Sequence, residues 1–423
     1  MEATCSEDVS PPAEHTRRSE LLRIAAEVFS RAGYSGTSLR DIADAAGILA
    51  GSLYHHFPSK ESLAIELISA FHTEIDALAD VPEKDAAHPL TGIVEFAEQV
   101  GRIAERHRAA VQMCRYDAPS SATEALSTLV RREPLGLNSR WAKLLNDARE
   151  SGAIRAEVDP PMLRTVLSGA VLDLALLAGP DPTVGLVRSL TSLLLHGLAT
   201  DRRAPARLDA SAASRIAADH VTTWSALAAA TGEGRRDLIL ATARQEFARR
   251  GYEATTIRDI AAASGVRPSS IYRHFTSKQE ILTGIVERFS RFLLAGYEAV
   301  AGARSTAAER LDALCRLMAS AGSLFQPEFV IVKDWWRVLN SPADAPPEDN
   351  ATRLRLLESV ISDGIAAGEF VRPRDPALLA VAMRATLWVP LGDSASAQRH
   401  VFLRQCLLDG AASAEERESI QSL

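Results

Sequence analysis

The chain has few of the residues that build disulfide scaffolds, metal sites or catalytic centres. Its four cysteines form no Cys-x-x-Cys pair and no cysteine–histidine cluster with the spacing of zinc ligands. It also has no glycine-rich phosphate-binding loop and no convincing pairing of a nucleophile with a base. We therefore expect no disulfide scaffold, no metal, no cofactor and no catalytic residue.

Long apolar runs are also missing. Stretches such as Ala170 to Gly179 are far shorter than the roughly 20 residues that span a bilayer, and Asp173 interrupts this one. Residues 1–15 contain acids and prolines where a signal peptide has a basic segment and then an apolar one. These absences predict a cytoplasmic protein with no membrane partner, whose residues 1–15 form a flexible tail.

What the chain does contain is the same segment twice. The residues FSRAGYSGTSLRDIADAAGILAGSLYHHFPSK, Phe29 to Lys60, recur without a gap 218 positions later as FARRGYEATTIRDIAAASGVRPSSIYRHFTSK, Phe247 to Lys278. The period is too long for a solenoid. The repetition therefore predicts two whole subunits fused end to end, and we call residues 16–62 the first module and residues 235–280 the second module.

Charge separates the modules from the rest of the chain. The protein has 47 Lys and Arg against 54 Asp and Glu, but the first module carries +1 and the second +4, which leaves −12 elsewhere. DNA phosphates repel acidic surfaces and attract basic ones. If this chain binds nucleic acid, the modules are the surfaces that approach it.

Each module has the pattern of three short helices. A capping box predicts the start of the second helix, and a glycine then makes a tight turn before a third helix with small and polar side chains. Such a pair is a helix-turn-helix, whose second helix fits a major groove. The landmarks are Gly33, Ser38 with Asp41, Gly47 and the helix Ala50 to Phe57 in the first module, and Gly251, Thr256 with Asp259, Gly265 and Pro268 to Phe275 in the second.

The strings GSLYHHFPSKE and SSIYRHFTSKQE closely resemble the signature of the TetR family of bacterial repressors. Beyond the modules, GAIRAEVDPPMLRTVL at Gly152 and GEFVRPRDPALLAVAM at Gly368 look like one stretch of a TetR ligand-binding body, repeated at an offset of 216. The resemblance implies an all-α chain of two TetR-like halves, each a helix-turn-helix domain plus a helical ligand-binding and dimerisation body. It also implies that the two halves pack as an intramolecular pseudo-dimer.

The resemblance further implies which residues contact an operator. Tyr54, Tyr272, Lys60 and Lys278 would bind phosphates, while exposed residues of the third helices read bases. Partial burial is the alternative for the two tyrosines, and we favour packing for His56 and His274. The DNA-contact candidates are Ser38, Leu49, Ala50, Gly51, Ser52, Tyr54, His55 and Lys60, and Thr256, Arg267, Pro268, Ser269, Ser270, Tyr272, Arg273 and Lys278.

The two sets of base-reading candidates differ. Arg267 and Arg273 can bond guanine edges or phosphate, whereas Leu49 offers only apolar contact, for instance to a thymine methyl. Leu49 also stands where the family commonly has a small hydroxyl residue that caps the helix, a loss of about 1 kcal/mol. The halves are therefore expected to read different sequences, and a first module with a mainly structural role is the alternative.

The regions after the modules contain amphipathic runs and no run with the two-residue period of a strand, which predicts helices throughout. Aromatic side chains in these bodies would line an apolar ligand pocket, and an ordinary core is the alternative. The ligand-contact candidates are Phe96, Tyr116 and Trp141 in the first body and Phe325, Phe329, Trp335, Trp336 and Trp388 in the second.

The segment between the halves predicts a loop at DRRAPAR and then a helix at Ala210 to Ala229, anchored by the packing of Trp224. The domain boundaries that follow are a tail at 1–15, the first module at 16–62, a first body at 63–200, a linker at 201–234, the second module at 235–280 and a second body at 281–423.

The resemblance implies a sequence-specific, DNA-binding transcriptional regulator, a repressor that is released by a small and largely apolar molecule. With two different recognition helices, it is expected to read an asymmetric operator. Its partners are a double-stranded operator and that effector, and the chain is expected to be monomeric because both dimerisation faces are already present. The alternative is a non-enzymatic module that kept the fold but binds a protein or metabolite without reading DNA.

Overall fold

The computed structural model describes residues 13–34, 36–80, 88–115, 123–177, 183–229, 234–252, 254–338, 348–372, 376–389 and 395–413. Over these ranges the chain is helical, with two isolated β-bridges and no strand, which confirms the all-α prediction. No helix within the described ranges is both long enough and apolar enough to cross a membrane.

Twenty-one α-helices follow one another, with a 3-10 turn at Ala77–Asp80 and a π-helix at Gln405–Asp409 among the described residues. Their bounds are α1 Ala13–Ala32, α2 Leu39–Ala45, α3 Ala50–His56, α4 Lys60–Asp76, α5 Pro89–Arg106, α6 Arg108–Arg115, α7 Glu124–Val130, α8 Leu135–Glu150, α9 Pro160–Leu177, α10 Thr183–His196, α11 Pro205–Asp209, α12 Ala212–Ala229, α13 Arg235–Arg250, α14 Ile257–Ala263, α15 Pro268–Ile271, α16 Lys278–Ala301, α17 Ala307–Leu324, α18 Gln326–Val338, α19 Glu348–Ala366, α20 Pro376–Trp388 and α21 Ser396–Arg404.

Three predicted boundaries differ from the structure. Helix α1 begins at Ala13, inside the segment expected to be a tail. Helix α11 begins at Pro205, inside the expected loop, because proline suits the first position of a helix, where its missing N–H is no loss. The sequence from Ser121 to Glu150 is one of the amphipathic runs that predict helix, and its described part, residues 123–150, contains two helices, α7 and α8, with Pro134 at the break.

The chain divides into two compact units. The first comprises residues 1–73 and 107–132, so it contains the first module with α6 and α7. The second comprises residues 74–106 and 133–423, which include the second module, the linker and the remaining body helices. These units do not follow the expected domain boundaries, which remain predictions.

Within the second unit, the linker is fixed to the second body. Helix α12 packs along α16 and α17, and Trp224 is buried with its ring 5.8 Å from that of Phe325. A β-carbon on Gly296 of α16 would lie 2.9 Å from the Trp224 ring, so this glycine permits the close approach. The predicted helix and its tryptophan anchor are confirmed.

The two halves meet in this unit through a reciprocal exchange of backbone hydrogen bonds. The carbonyl of Leu198, after α10, accepts from the N–H of Val371 at 2.9 Å, and the carbonyl of Ala411, after the π-helix, accepts from the N–H of Arg155 at 3.0 Å. The bridges Ala199↔Phe370 and Ile154↔Ala412 complete the same crossed pattern. The end of each half therefore pairs with the turn that precedes the last helices of the other half.

The chain segments of this exchange cross at Gly197 and Gly410. A β-carbon on Gly197 would lie 2.3 Å from the Leu408 carbonyl oxygen, and one on Gly410 would lie 2.3 Å from the His196 carbonyl carbon. Both residues also have positive φ angles, 68° and 76°, which side chains disfavour. Glycine is required at the crossing for both reasons.

Candidate nucleic-acid interface

The first module exposes most of the residues expected to contact DNA. Leu53 and Phe57 are fully buried and fix α3 to the module, whereas Leu49 is 82% exposed and Tyr54 54% exposed. Gly51, Ser52 and His55 are exposed too, and Ala50 is half-buried. The residues that differ between the modules are thus available to a ligand in the first of them.

The second module has the same arrangement with a shorter third helix. Helix α15 ends at Ile271, short of the predicted Phe275, because the N–H groups of His274 and Phe275 both bond to the Ile271 carbonyl and tighten the last turn. Tyr272 is 58% exposed. The remaining base-reading candidates are exposed or half-buried, namely Arg267, Pro268, Ser269, Ser270 and Arg273.

Neither third helix has a side-chain cap at its N-terminus, because Leu49 and Arg267 occupy the N-cap positions. The missing hydroxyl is therefore a feature of both modules. Proline at the first position of α15 partly offsets the loss in the second module, since its ring already holds the helical φ angle. The first module has no such compensation at Ala50.

Capping boxes form at both predicted places. Ser38 and Thr256 accept from the N–H groups of Asp41 and Asp259, whose carboxylates accept in return from the cap residues. These side-chain and backbone hydrogen bonds hold the pKa of each aspartate below its usual value. Gly47 and Gly265 follow with φ of 65° and 64°, the conformation that the tight turn needs.

The two lysines expected at phosphates also hold the modules together. Lys60 Nζ donates to the carbonyl oxygens of Tyr34 at 2.7 Å and Thr37 at 2.8 Å, and it lies 4.2 Å from the centre of the Tyr34 ring. Lys278 Nζ donates to the Tyr252 carbonyl at 2.8 Å and lies 4.3 Å from the ring. Their contact with phosphate stays a prediction.

Two arginines that are not among the DNA-contact candidates position the third helices. The guanidinium carbons of Arg18 and Arg236 each lie 4.2 Å from a ring centre, over Phe57 and Phe275 respectively. Arg18 also donates to the carbonyl of His56, the last residue of α3, and Arg236 donates to the carbonyl of His274, three residues after the end of α15. Their recurrence at the same offset of 218 was the available signal.

The aromatic candidates of the bodies that can be described are packed together. Phe96 and Trp141 form an edge-to-face pair with centres 4.7 Å apart, and the buried Nε1 of Trp141 has no hydrogen-bond partner among the described residues. In the second body, Phe329 lies 4.8 Å from Trp388. Tyr116 and the side chains of Trp335 and Trp336 lie outside the described residues.

Two spaces beside this second aromatic cluster can be described, and the larger is an open groove of about 430 Å³ lined by Phe292 and mainly charged residues of α13 and α16. Phe289, Phe292 and Phe325 line a cleft of about 60 Å³ between α12, α13 and α16, far less than the roughly 300–1,000 Å³ of ordinary ligand pockets. Phe289 and Phe325 are buried, which fits a core, and the use of the aromatic candidates as a ligand pocket remains a prediction.

Comparison with known proteins finds similarity in both modules. The model of bacterial regulatory proteins of the tetR family matches residues 21–67 and again 239–285. The transcriptional repressor KstR2 of Mycobacterium tuberculosis is 34% identical over 145 residues, which are 34% of this chain and 72% of that protein. KstR2 of Rhodococcus jostii is 58% identical over 66 residues, 14% of this chain and 32% of that protein.

Among solved structures, the probable transcriptional regulatory protein RHA5900 is 28% identical with a TM-score of 0.38, and the match covers 42% of this chain and all of that one.

Proposed function

The chain belongs to the TetR family of DNA-binding regulators, and from this premise we propose that it is a repressor that holds one asymmetric operator with two different modules and is released by a small molecule. The observation that supports the proposal most directly is the pair of complete modules in one chain. They share their interior contacts and differ in their exposed residues.

Different exposed residues imply different half-sites. Arginine forms bidentate bonds with guanine, and each such pair discriminates against a wrong base by about 1–3 kcal/mol. Arg267 and Arg273 can form such pairs in the second module, whereas Leu49 and Ala50 cannot. Two identical subunits require a palindromic operator, whereas the two different modules of this chain do not.

The crossed exchange at Gly197 and Gly410 supports an internal pseudo-dimer. A two-fold interface is self-complementary, with each side supplying the same contacts to the other. The reciprocal bonds of Leu198 with Val371 and of Ala411 with Arg155 have this property within a single chain. One chain of 45.6 kDa should therefore occupy one operator.

Release by a ligand is supported by the continuity of α16. This helix begins at Lys278, at the edge of the second module, and extends to Ala301 with Phe289 and Tyr297 among the buried residues of the body. A ligand that moves α16 changes the position of the module. Because coupling is reciprocal, an effector that weakens DNA binding must itself bind less tightly to the DNA complex.

The alternative is a metabolite- or protein-binding protein that kept the fold without reading DNA. Selection of binding sites from random double-stranded DNA by the full-length chain separates the two functions. We expect an asymmetric site with unequal arms and a complex containing one chain. A perfect inverted repeat or a two-chain complex would contradict our proposal, and the absence of any enriched site would favour the alternative.

A further inference from the structure

Two arginines in the second body, one buried and one half-buried, have no carboxylate partner among the described residues. Arg353 on α19 is only 7% exposed, and its Nη2 donates to the side-chain oxygen of Asn350 at 3.3 Å. Its Nη1 and the Nε of Arg384 on α20 are buried and have no acceptor among the described residues. Neither guanidinium lies within 4.0 Å of a carboxylate of the described residues.

The surroundings of the two arginines are apolar and aromatic. Arg353 lies 5.6 Å from the centre of the Trp388 ring, which in turn packs against Phe329. Tyr297 on α16 is buried nearby, and that burial raises the pKa of its phenol, which is therefore neutral. A neutral phenol donates a hydrogen bond but supplies no counter-charge.

Electrostatics in this cluster favour an added anion. Burial lowers the pKa of both guanidiniums, and Arg384 lowers that of Arg353 further by repulsion, yet arginine stays charged at neutral pH. Asp349 attracts Arg353 only from beyond ion-pair distance. Buried charges in proteins are usually paired, and an unpaired one is costly.

The cluster belongs to the second half alone. Aligned without gaps on Gly152 and Gly368, the first half has Leu137 opposite Arg353 and Ser168 opposite Arg384. Leu137 is fully buried, so the position is an interior one in both halves. Maintenance of the fold therefore does not require arginine there.

We propose that Arg353 and Arg384, with the hydroxyl of Tyr297, bind the carboxylate or phosphate head of an otherwise apolar effector within the second body. The inference rests on the proposed function in taking this body as the sensor. Guanidinium groups bind both oxyanions through paired hydrogen bonds, and the aromatic residues around Trp388 suit an apolar tail.

Three probes that share one tail test the site in the absence of DNA: octanoate, octyl phosphate and 1-octanol, titrated calorimetrically into the full-length chain. We expect at least one anion to bind ten-fold or more tightly than the alcohol. The tighter of the two anions identifies the head group as carboxylate or phosphate. If neither anion binds better than the alcohol, the proposal is wrong, and this comparison needs no variant.

Charge-removing variants then locate the effect. Arg353→Met and Arg384→Met keep much of the side-chain volume and should each weaken anion binding at least ten-fold while leaving the alcohol unchanged. Arg355→Met, on the exposed side of the same helix, is the matched control and should change nothing. Folded variants that bind the anions as the parent does would overturn the assignment.

Stability without a probe gives a second readout. Each variant removes the repulsion between Arg353 and Arg384, so the melting temperature of Arg353→Met and of Arg384→Met should be unchanged or higher. A lower melting temperature in both variants would mean that other groups of the chain already neutralise the arginines. Anion binding that requires both arginines but leaves operator affinity unchanged would retain the site and refute ligand release, so the two proposals fail separately.

Discussion

The two halves share their interior contacts and differ in what they present to a partner. An arginine covers a phenylalanine at 4.2 Å in each module, a lysine covers a tyrosine at 4.2 and 4.3 Å, and a capping box begins the second helix of both. The exposed positions 49 and 267 hold leucine and arginine. The fold constrains the first group of residues, whereas the exposed residues of the second group make no contact that the fold needs.

The two modules have the same interior contacts, but the two bodies have different buried residues at matching positions. Leu137 in the first body is an uncharged, buried side chain, whereas Arg353 at the matching position places a charge in the core. If Arg353 and Arg384 bind an anion as we propose, the halves have specialised, with a scaffold retained in both and an anion-binding interior in one. Four experiments test whether the two halves differ in this way.

The largest effect is expected at the crossing of the halves. Gly197→Ala and Gly410→Ala each place a β-carbon 2.3 Å from backbone atoms of the other half, so we expect a loss of more than about 3 kcal/mol in the free energy of unfolding. Urea unfolding measures it. Gly185→Ala on α10 is the control, since nothing lies within 4 Å of its β-carbon, and equal losses in all three would contradict the crossing.

Specificity should be unequal between the modules. Arg267→Ala is expected to relax discrimination at one operator position by about 1–3 kcal/mol, because a bidentate arginine contact is lost. Leu49→Ala should cost less in the other arm, since only an apolar contact is removed. Competition binding with single-base operator variants measures both, and a uniform loss across sequences would assign Arg267 to phosphate.

The arginines over the phenylalanines should matter equally in both halves. Arg18→Met and Arg236→Met remove a cation–π contact and a bond to the carbonyl of the histidine before the phenylalanine, which predicts about 1–2 kcal/mol lower stability for each module. Hydrogen exchange of the third helices measures the change, and Arg235→Met serves as an exposed control. An effect in one module only would show that the two arginines do not stabilise their modules equally.

The smallest effect distinguishes a DNA-binding first module from a structural one. Tyr54→Phe and Tyr272→Phe remove exposed hydroxyls, so the free energy of unfolding should not change. If both tyrosines bind phosphate, each variant lowers operator affinity by about 0.5–1 kcal/mol, whatever the base sequence. Loss with Tyr272→Phe alone would mean that only the second module makes this contact.

Much of the local structure could be predicted, because local signals determine it. Ser38 and Asp41 lie three residues apart, so their capping box is visible in the sequence, and the apolar spacing around Trp224 indicated a packed helix. The short α15 could not be foreseen, since its last turn tightens through backbone bonds to Ile271. The pocket candidates were chosen by residue type, which does not distinguish a core from a pocket.

Arg353 shows why other features of the protein could not be predicted without its three-dimensional structure. It lies four residues before Leu357 and seven before Val360, on the apolar stripe of α19, so the spacing alone could have marked it as buried. Its lack of a carboxylate partner depends on α16 and α20, which come from distant parts of the chain. No local pattern contains that information.

The repeat, the all-α class, the two helix-turn-helix modules and the differences between their exposed residues could all be read from the amino-acid sequence. All of these depend on residue identity and on spacings within one or two helical turns. The tertiary structure alone decided the crossing at Gly197 and Gly410, the arginines over Phe57 and Phe275, and the isolation of Arg353 and Arg384. These depend on which distant segments pack together, because burial and the distance between charges exist only in the folded chain.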